Sequence, residues 1–435
     1  MSLKACGGVL VLLLVALGCD KLRTLPGFEP APSPPPPTAA VLMGPWLLDP
    51  LPGQVTLAWT TRDASVGRVW YGTREPDHLA IEEGQPVKEH RVVLRPLEPA
   101  TQYRYRVEGG DETTWFTSAP KPGEGPIQAL IYGVNRTNNG DHALVARAAA
   151  AERPQILLHT GDMVVNAAEE PLWQVWFREE HDLLIHAPIV PAAGKHELTD
   201  DGAAYARFFQ RNRRPRYGSL DYGPLHVVTL DSWETPAGIS PAQKAWLEED
   251  LRGVPADRHV WVVAHRGPFS HPLESADEDA GAGEVKAAIL SAHRIHPIEA
   301  VFSGQRPFYE RGEVEGIRYF VLGGGGAPLE EPDRSASGVQ SAAHVLSFAT
   351  VQVCGCHSAG RVKDIAGKVL DAFTLSDCQT PCGVPGWAAS VAAASVISAP
   401  DTAGKEESRR SKRRSRKQRR GSSERTGSSA EDPGR

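Results

Sequence analysis

Between residues 127 and 322 the chain holds six short apolar runs, and each breaks off at a polar or glycine-rich tip. They are Ala129–Tyr132, Ile156–His159, His226–Leu230, Val260–Ala264, Ala300–Ser303 and Tyr319–Leu322. Apolar runs this short, with little alternation, are the pattern of strands covered on both faces. Helical stretches separate them: Ala143–Ala151, Glu169–Asp182 and Pro241–Leu251, the last with Ser240 as N-cap and Pro241 at the first helical position. Alternating strands and helices exclude an all-α or all-β body and predict an α/β unit from Ile127 to about Leu375. Ligands in open α/β sheets sit where strands end, so the tips are the candidate site.

Upstream the texture differs. Val55–Thr60, Gly67–Gly72, Arg91–Leu94, Gln102–Val107 and Thr113–Phe116 are short alternating segments separated by Gly, Pro and Asp turns. That spacing predicts a small antiparallel sandwich over residues 40–120. The phrase from Leu94 through Pro99, Tyr103 and Tyr105 to Val107 resembles the penultimate-strand region of fibronectin type III domains, in which the Tyr belongs to corner packing.

In order, the tips of the body are Gly133-Val134-Asn135, Gly161-Asp162, Gly194-Lys195-His196-Glu197, His265-Arg266 and Gly304-Gln305-Arg306-Pro307. Their order and spacing resemble the calcineurin-like metallophosphoesterases, in the purple acid phosphatase-like branch that carries a fibronectin-like domain in front. Tyr217–His226, Leu230-Asp231-Ser232, Phe302–Gly304, Phe308–Arg311 and Gly323–Leu329 support the match. The resemblance implies an α/β metallophosphoesterase sandwich, two mixed sheets flanked by helices, preceded by a small all-β fibronectin III-like domain. It also implies two divalent or trivalent metal ions held by carboxylate, imidazole and carbonyl ligands at five strand ends, clamping a phosphate ester and activating water.

Residue by residue, the ligand set is depleted. Val134 stands where the resemblance places an aspartate, and Val165 where some members have a tyrosine ligand. Asp162 stands at the bridging carboxylate and His265 at a ligand histidine. His196 stands at the non-ligand histidine that contacts phosphate and protonates the leaving group. Lys195 replaces an asparagine, and Gln305 and Pro307 replace two histidines. A unit charge at about 4 Å is worth about 1 kcal/mol in water and about 4 kcal/mol at an effective dielectric of 20, so Lys195 opposes a divalent ion. The expectation is no metal, or one weakly bound at Asp162 and His265, and lost or strongly reduced phosphatase activity. An anion pocket is expected at Lys195, Arg136 and Arg266, with His196 and Arg306 as further donors and Lys195 pairing with Asp162. The ligand expected there is a phosphate-containing small molecule. The alternative is a phosphoric-ester hydrolase with a single altered metal site, recruiting His142, His271, His293 or His296.

Residues 1–19 carry Lys4, an apolar run from Gly7 to Leu17 and Gly18-Cys19. The run is too short to span a bilayer and describes a secretory signal. It resembles a bacterial lipoprotein signal, which implies a membrane anchor through lipidated Cys19 and a place in the cell envelope, periplasmic or at the outer membrane. An ordinary cleaved signal with a chance Cys is the alternative. Residues 20–39 form a Pro-rich linker. The body is set at 126–383, with Cys354, Cys356, Cys378 and Cys382 in its C-terminal part. An even number in an exported chain suggests disulfides, with three possible pairings, and a zinc site helped by His357 is the rival.

Charge is unevenly spread. The 435 residues carry −6, while Asp401–Arg435 holds 12 Lys+Arg against 6 Asp+Glu, a net of +6 that leaves −12 on the rest. Residues 384–435 are therefore expected to be a disordered basic tail that contacts anionic envelope polymers or lipids. An acidic body gives no reason to expect a specific nucleic acid partner.

Overall fold

A computed structural model describes residues 41–378 except 82–83, 111, 211–214 and 272–278. The signal segment with Cys19, the linker, Cys382 and the basic tail lie outside the described residues. Among those residues no helix is long and apolar enough to cross a membrane.

The N-terminal unit contains β1 (Val41–Leu51), β2 (Gln54–Ser65), β3 (Arg68–Gly72), β4 (His78–Ile81), β5 (Val87–Leu94), β6 (Gln102–Val107) and β7 (Thr114–Thr117). Two antiparallel sheets, ordered β1-β2-β5 and β4-β3-β6-β7, close over Leu47, Leu57, Trp59, Val69, Tyr105 and Phe116. The Tyr103 hydroxyl accepts the Glu98 N–H at 2.9 Å and fixes the turn before β6.

The body follows with β8 (Ile127–Tyr132), α1 (Asn139–Ala150), β9 (Ile156–His159), α2 (Glu170–Glu179), α3 (His181–Leu184), β10 (Ile189–Pro191), α4 (Ala203–Phe209), β11 (Gly218–Tyr222), β12 (Leu225–Leu230), α5 (Pro241–Arg252), β13 (His259–Ala264), α6 (Asp279–His293) and β14 (Ala300–Ser303). Then come β15 (Tyr309–Val314), β16 (Ile317–Leu322), β17 (Val339–Ala343), β18 (Ser347–Cys354), β19 (His357–Asp364) and β20 (Val369–Ser376). One mixed sheet is ordered β10-β9-β8-β18-β19-β20, the other β11-β12-β13-β14-β16-β15-β17.

Alternation explains why the strand runs are apolar throughout. Ile131, Leu158, Val227, Trp261, Phe302 and Phe320 point between the sheets. Their neighbours Leu130 and Leu157 face helices α1, α2 and α4, where Trp173, Trp176, Phe177 and Phe208 pack. On the far side Val228, Val260 and Val262 meet Leu247 and Leu251 of α5 and Ile289 of α6. The result is helix, sheet, sheet, helix, the expected metallophosphoesterase sandwich preceded by a β unit. Ser240 caps α5 as its sequence predicts, its side chain accepting the Gln243 N–H at 3.1 Å.

The two units share a core. Met43, Trp46 and Leu48 of β1 belong to the cluster built on Trp173 and Phe177, and Trp46 Nε1 donates to the Phe208 carbonyl at 3.1 Å. Tyr105 donates to the Ile185 carbonyl at 2.8 Å. Of the two accounts of the cysteines, a disulfide forms between Cys356 and Cys378, tying the β18–β19 turn to the end of β20.

Candidate active site

β8 runs parallel to β9 in one sheet and β13 parallel to β14 in the other, and the His265–Thr160 hydrogen bond joins the C-terminal tips of the two pairs. There the first tip is bound to the second: Val134 N–H donates to the Gly161 carbonyl at 2.8 Å, and Asn135 and Arg136 N–H both donate to the Asp162 carbonyl, at 2.9 and 3.1 Å. Gly304 N–H reaches the His265 carbonyl at 3.1 Å, joining the fourth tip to the fifth.

Three of these tips turn through the left-handed region at non-glycine residues: Val134 at φ 61°, Asp162 at φ 56° and Gln305 at φ 63°. Asp tolerates that conformation, but for a β-branched residue it is strained. Val134 is fully buried and makes the turn nevertheless. Glycine is required at Gly194, because a Cβ there would lie 2.2 Å from Asp162 Oδ1.

Asp162 is 3% exposed and surrounded. Arg136 Nε donates to Oδ2 at 3.0 Å, the His196 backbone N–H donates to Oδ1 at 3.2 Å, and His265 Nε2 lies 3.3 Å from Oδ1. Burial alone would push the carboxyl up, yet His265 first, then His196 and Arg136, hold it well below the usual carboxylate range. His265 donates from Nδ1 to the Thr160 carbonyl at 2.7 Å. Burial opposes its charged form, but the Asp162 carboxylate outweighs burial and raises the imidazole. His196 donates from Nδ1 to the Val165 carbonyl at 2.6 Å, which leaves Nε2 3.9 Å from Asp162 Oδ2.

The structure therefore brings Asp162, His265, His196 and Arg136 together. It does not place Lys195 on Asp162 as expected. Lys195 opens the short 3-10 turn His196–Leu198, and its Nζ lies 5.5 Å from the centre of the Trp233 ring. Arg136 takes the carboxylate instead, because its loop is hydrogen-bonded directly to the Asp162 backbone. Arg266, 4% exposed, stacks on the same indole at 3.6 Å, held from behind by Gly281, where a Cβ would strike its guanidinium. Arg306 pairs with Glu330 at 3.5 Å. Gln305 is half-buried and Pro307 buried.

The histidines considered for recruitment are engaged elsewhere. His142 bonds Glu180 at 2.8 Å and His271 bonds Glu310 at 2.9 Å. His293 Nδ1 accepts the Ile298 N–H at 2.9 Å, and His296 reaches the Pro297 and Pro255 carbonyls.

Several positioning residues are not singled out by the sequence reading. Glu197, fully buried, accepts the N–H groups of Asp162, Met163 and Gly194, each at 2.8 Å. Burial and the Asp162 charge push its carboxyl up to about 7. Asn135 donates to the Gly325 carbonyl at 3.1 Å and accepts from His159 Nε2, while His159 Nδ1 accepts the Gly161 N–H. Burial, then His142 and His265, lowers His159 to about 3, so it serves as a neutral spacer. The signal available was position: Glu197 and Asn135 stand inside the tips themselves.

No family model matches the chain. It is 25% identical over 267 residues to purple acid phosphatase 1 of Ipomoea batatas, covering 56% of each chain. Its identity to the Fe(3+)-Zn(2+) purple acid phosphatase 12 of Arabidopsis thaliana is 24% over 268 residues, again 56% of each. Among solved structures, the purple acid phosphatase PPD1 of yellow lupin (Lupinus luteus) superposes with a TM-score of 0.63 at 17% identity, covering 80% of this chain and 78% of that one. The chain thus spans little more than half the length of these curated relatives. It carries the calcineurin-like metallophosphoesterase fold and is related to the purple acid phosphatases.

The residues present do not fit a metal pair of the kind named in one relative. Val134 and Pro307 offer no lone pair, and an arginine already occupies one oxygen of Asp162. Among the described residues no group of three or more His, Cys, Asp and Glu could hold a metal ion.

Proposed function

We propose that this chain is an exported, purple acid phosphatase-like protein whose strand-end pocket binds a phosphate-type anion without two-metal hydrolysis. In this reading the signal lipidates Cys19, the fibronectin III-like unit is a fixed flank of the body, and the basic tail meets anionic envelope polymers or lipids. Arg136 and His196 are half-buried at the strand-end tips, Lys195 is exposed and Arg266 is buried beside them. Arginine forks and lysine point charges are the usual partners of phosphate oxygens. His196 uses Nδ1 on the Val165 carbonyl, which supports Nε2 as the group that contacts phosphate.

The observation that carries this reading is the filling of Asp162: both oxygens are engaged by the chain's own groups. The test has two arms. Hydrolysis of p-nitrophenyl phosphate should be negligible, and millimolar inorganic phosphate should raise the melting temperature in wild type and not in Lys195→Ala. Turnover that disappears in Asp162→Ala, or no phosphate stabilisation at all, would contradict it.

A further inference from the structure

We infer that Arg136 is a built-in cation that has taken over the role of a metal ion at Asp162, so that the core of the site is held by an internal charge. This rests on the reading above and goes further, because it assigns the structural work of a metal ion to one side chain. A buried carboxylate needs a counter-charge, since an uncompensated one is strongly destabilising. Here the carboxylate is 3% exposed, and the permanent charge nearest to it is Arg136 Nε at 3.0 Å.

The arginine is delivered with little freedom. Its own N–H and that of Asn135 are bonded to the Asp162 carbonyl, Val134 N–H is bonded to Gly161, and Ala327 N–H is bonded to the Val134 carbonyl at 3.0 Å. The guanidinium is therefore fixed to the same backbone that presents the carboxylate. Val134 fits this arrangement, because its apolar side chain fills the first tip where a second carboxylate would compete for the same cation. A guanidinium stays charged at every working pH and cannot be stripped by a chelator, unlike a bound metal.

The consequence is a latent cation site. Removing the guanidinium should leave Asp162, beside His265 at 3.3 Å, open to a divalent ion added from outside. The experiment is thermal denaturation of the full exported chain and of Arg136→Ala, Arg136→Gln and Arg136→Ala/Asp162→Asn, each with EDTA, Mn2+ alone or Zn2+ alone.

Wild type should melt at one temperature in all three conditions. Arg136→Ala and Arg136→Gln should melt about 5–10 °C lower in EDTA, recover at least half of that loss in millimolar Mn2+ or Zn2+, and lose the recovery when Asp162 is also replaced. Unchanged melting of both single variants overturns the inference, and so does a fall that neither metal reverses. If neither single variant folds, Asp162→Asn in the wild-type background decides: a fall that Arg136→Ala/Asp162→Asn relieves supports the ion pair, and an unchanged melting temperature in Asp162→Asn overturns it. Metal-dependent melting of wild type instead contradicts the functional reading itself, so the two failures are distinguishable.

Discussion

Arg136 Nε and Asp162 Oδ2 lie 3.0 Å apart at the strand-end edge where the related phosphatases are expected to hold metal. The pair joins the first tip to the second through side chains as well as backbone. It leaves an acid whose charge is already answered, while Lys195 and Arg266 lie over the Trp233 ring.

Val134 should be unusually tolerant of loss. At φ 61° a β-branched residue stores on the order of 1–3 kcal/mol of backbone strain, which glycine would release. Val134→Gly is expected to cost less than about 1 kcal/mol in urea denaturation, whereas Val262→Gly, equally buried but in regular strand β13, costs more than about 3 kcal/mol. Equal costs would show that the turn at Val134 is unstrained.

Glu197 should behave as a staple. Its loss orphans buried N–H groups of Asp162, Met163 and Gly194, each worth about 1–3 kcal/mol when left unpaired. Glu197→Ala is expected to destabilise by at least about 3 kcal/mol and Glu197→Gln by less. An alanine variant within about 1 kcal/mol of wild type would rule out this role.

The N-terminal sandwich should not unfold separately. Trp46 lies 4.4 Å from the Phe177 ring inside the core of the body. Trp46→Ala should cost about 3–5 kcal/mol and shift one cooperative transition seen by both fluorescence and circular dichroism. A separate low-temperature transition for the sandwich would count against a shared core.

One histidine far from the site gives a pH signature. His226 sits between Asp221 and Asp250, at 2.9 Å from each, and although burial opposes its charge the two carboxylates raise it to about 9. A raised value means that the protonated form stabilises the fold. The contribution, on the order of 2–3 kcal/mol, is full below 6.5 and fades as pH rises through about 9. The stability gap between wild type and His226→Gln should close between pH 6.5 and 9.5. A constant gap over that range would exclude the mechanism.

Much of the fold was legible because burial on both faces writes itself into sequence. The runs Ile156–His159 and Ala300–Ser303 coincide with β9 and β14, and Ser240-Pro241 opens α5. The helix α6 is not among the clearest helical stretches of the sequence, because its Gly- and Ala-rich start weakens the stripe that Val285, Ile289 and Ala292 bury. The stretch Glu169–Asp182 breaks at Glu180 into α2 and α3, because Glu180 turns inward to Tyr132 and His142. At the site, residue identity could show which ligand positions had lost their donors. It could not show which cation would replace them. That choice depends on the turns at Val134 and Asp162, which point Arg136 inward and leave Lys195 over Trp233.

The proposed function requires a strand-end site that holds no metal pair. Elemental analysis of the purified chain tests it most directly. Less than one divalent or trivalent ion per chain, with negligible hydrolysis of p-nitrophenyl phosphate, is the predicted result. Two tightly held ions per chain, with activity abolished by Asp162→Ala, would contradict it.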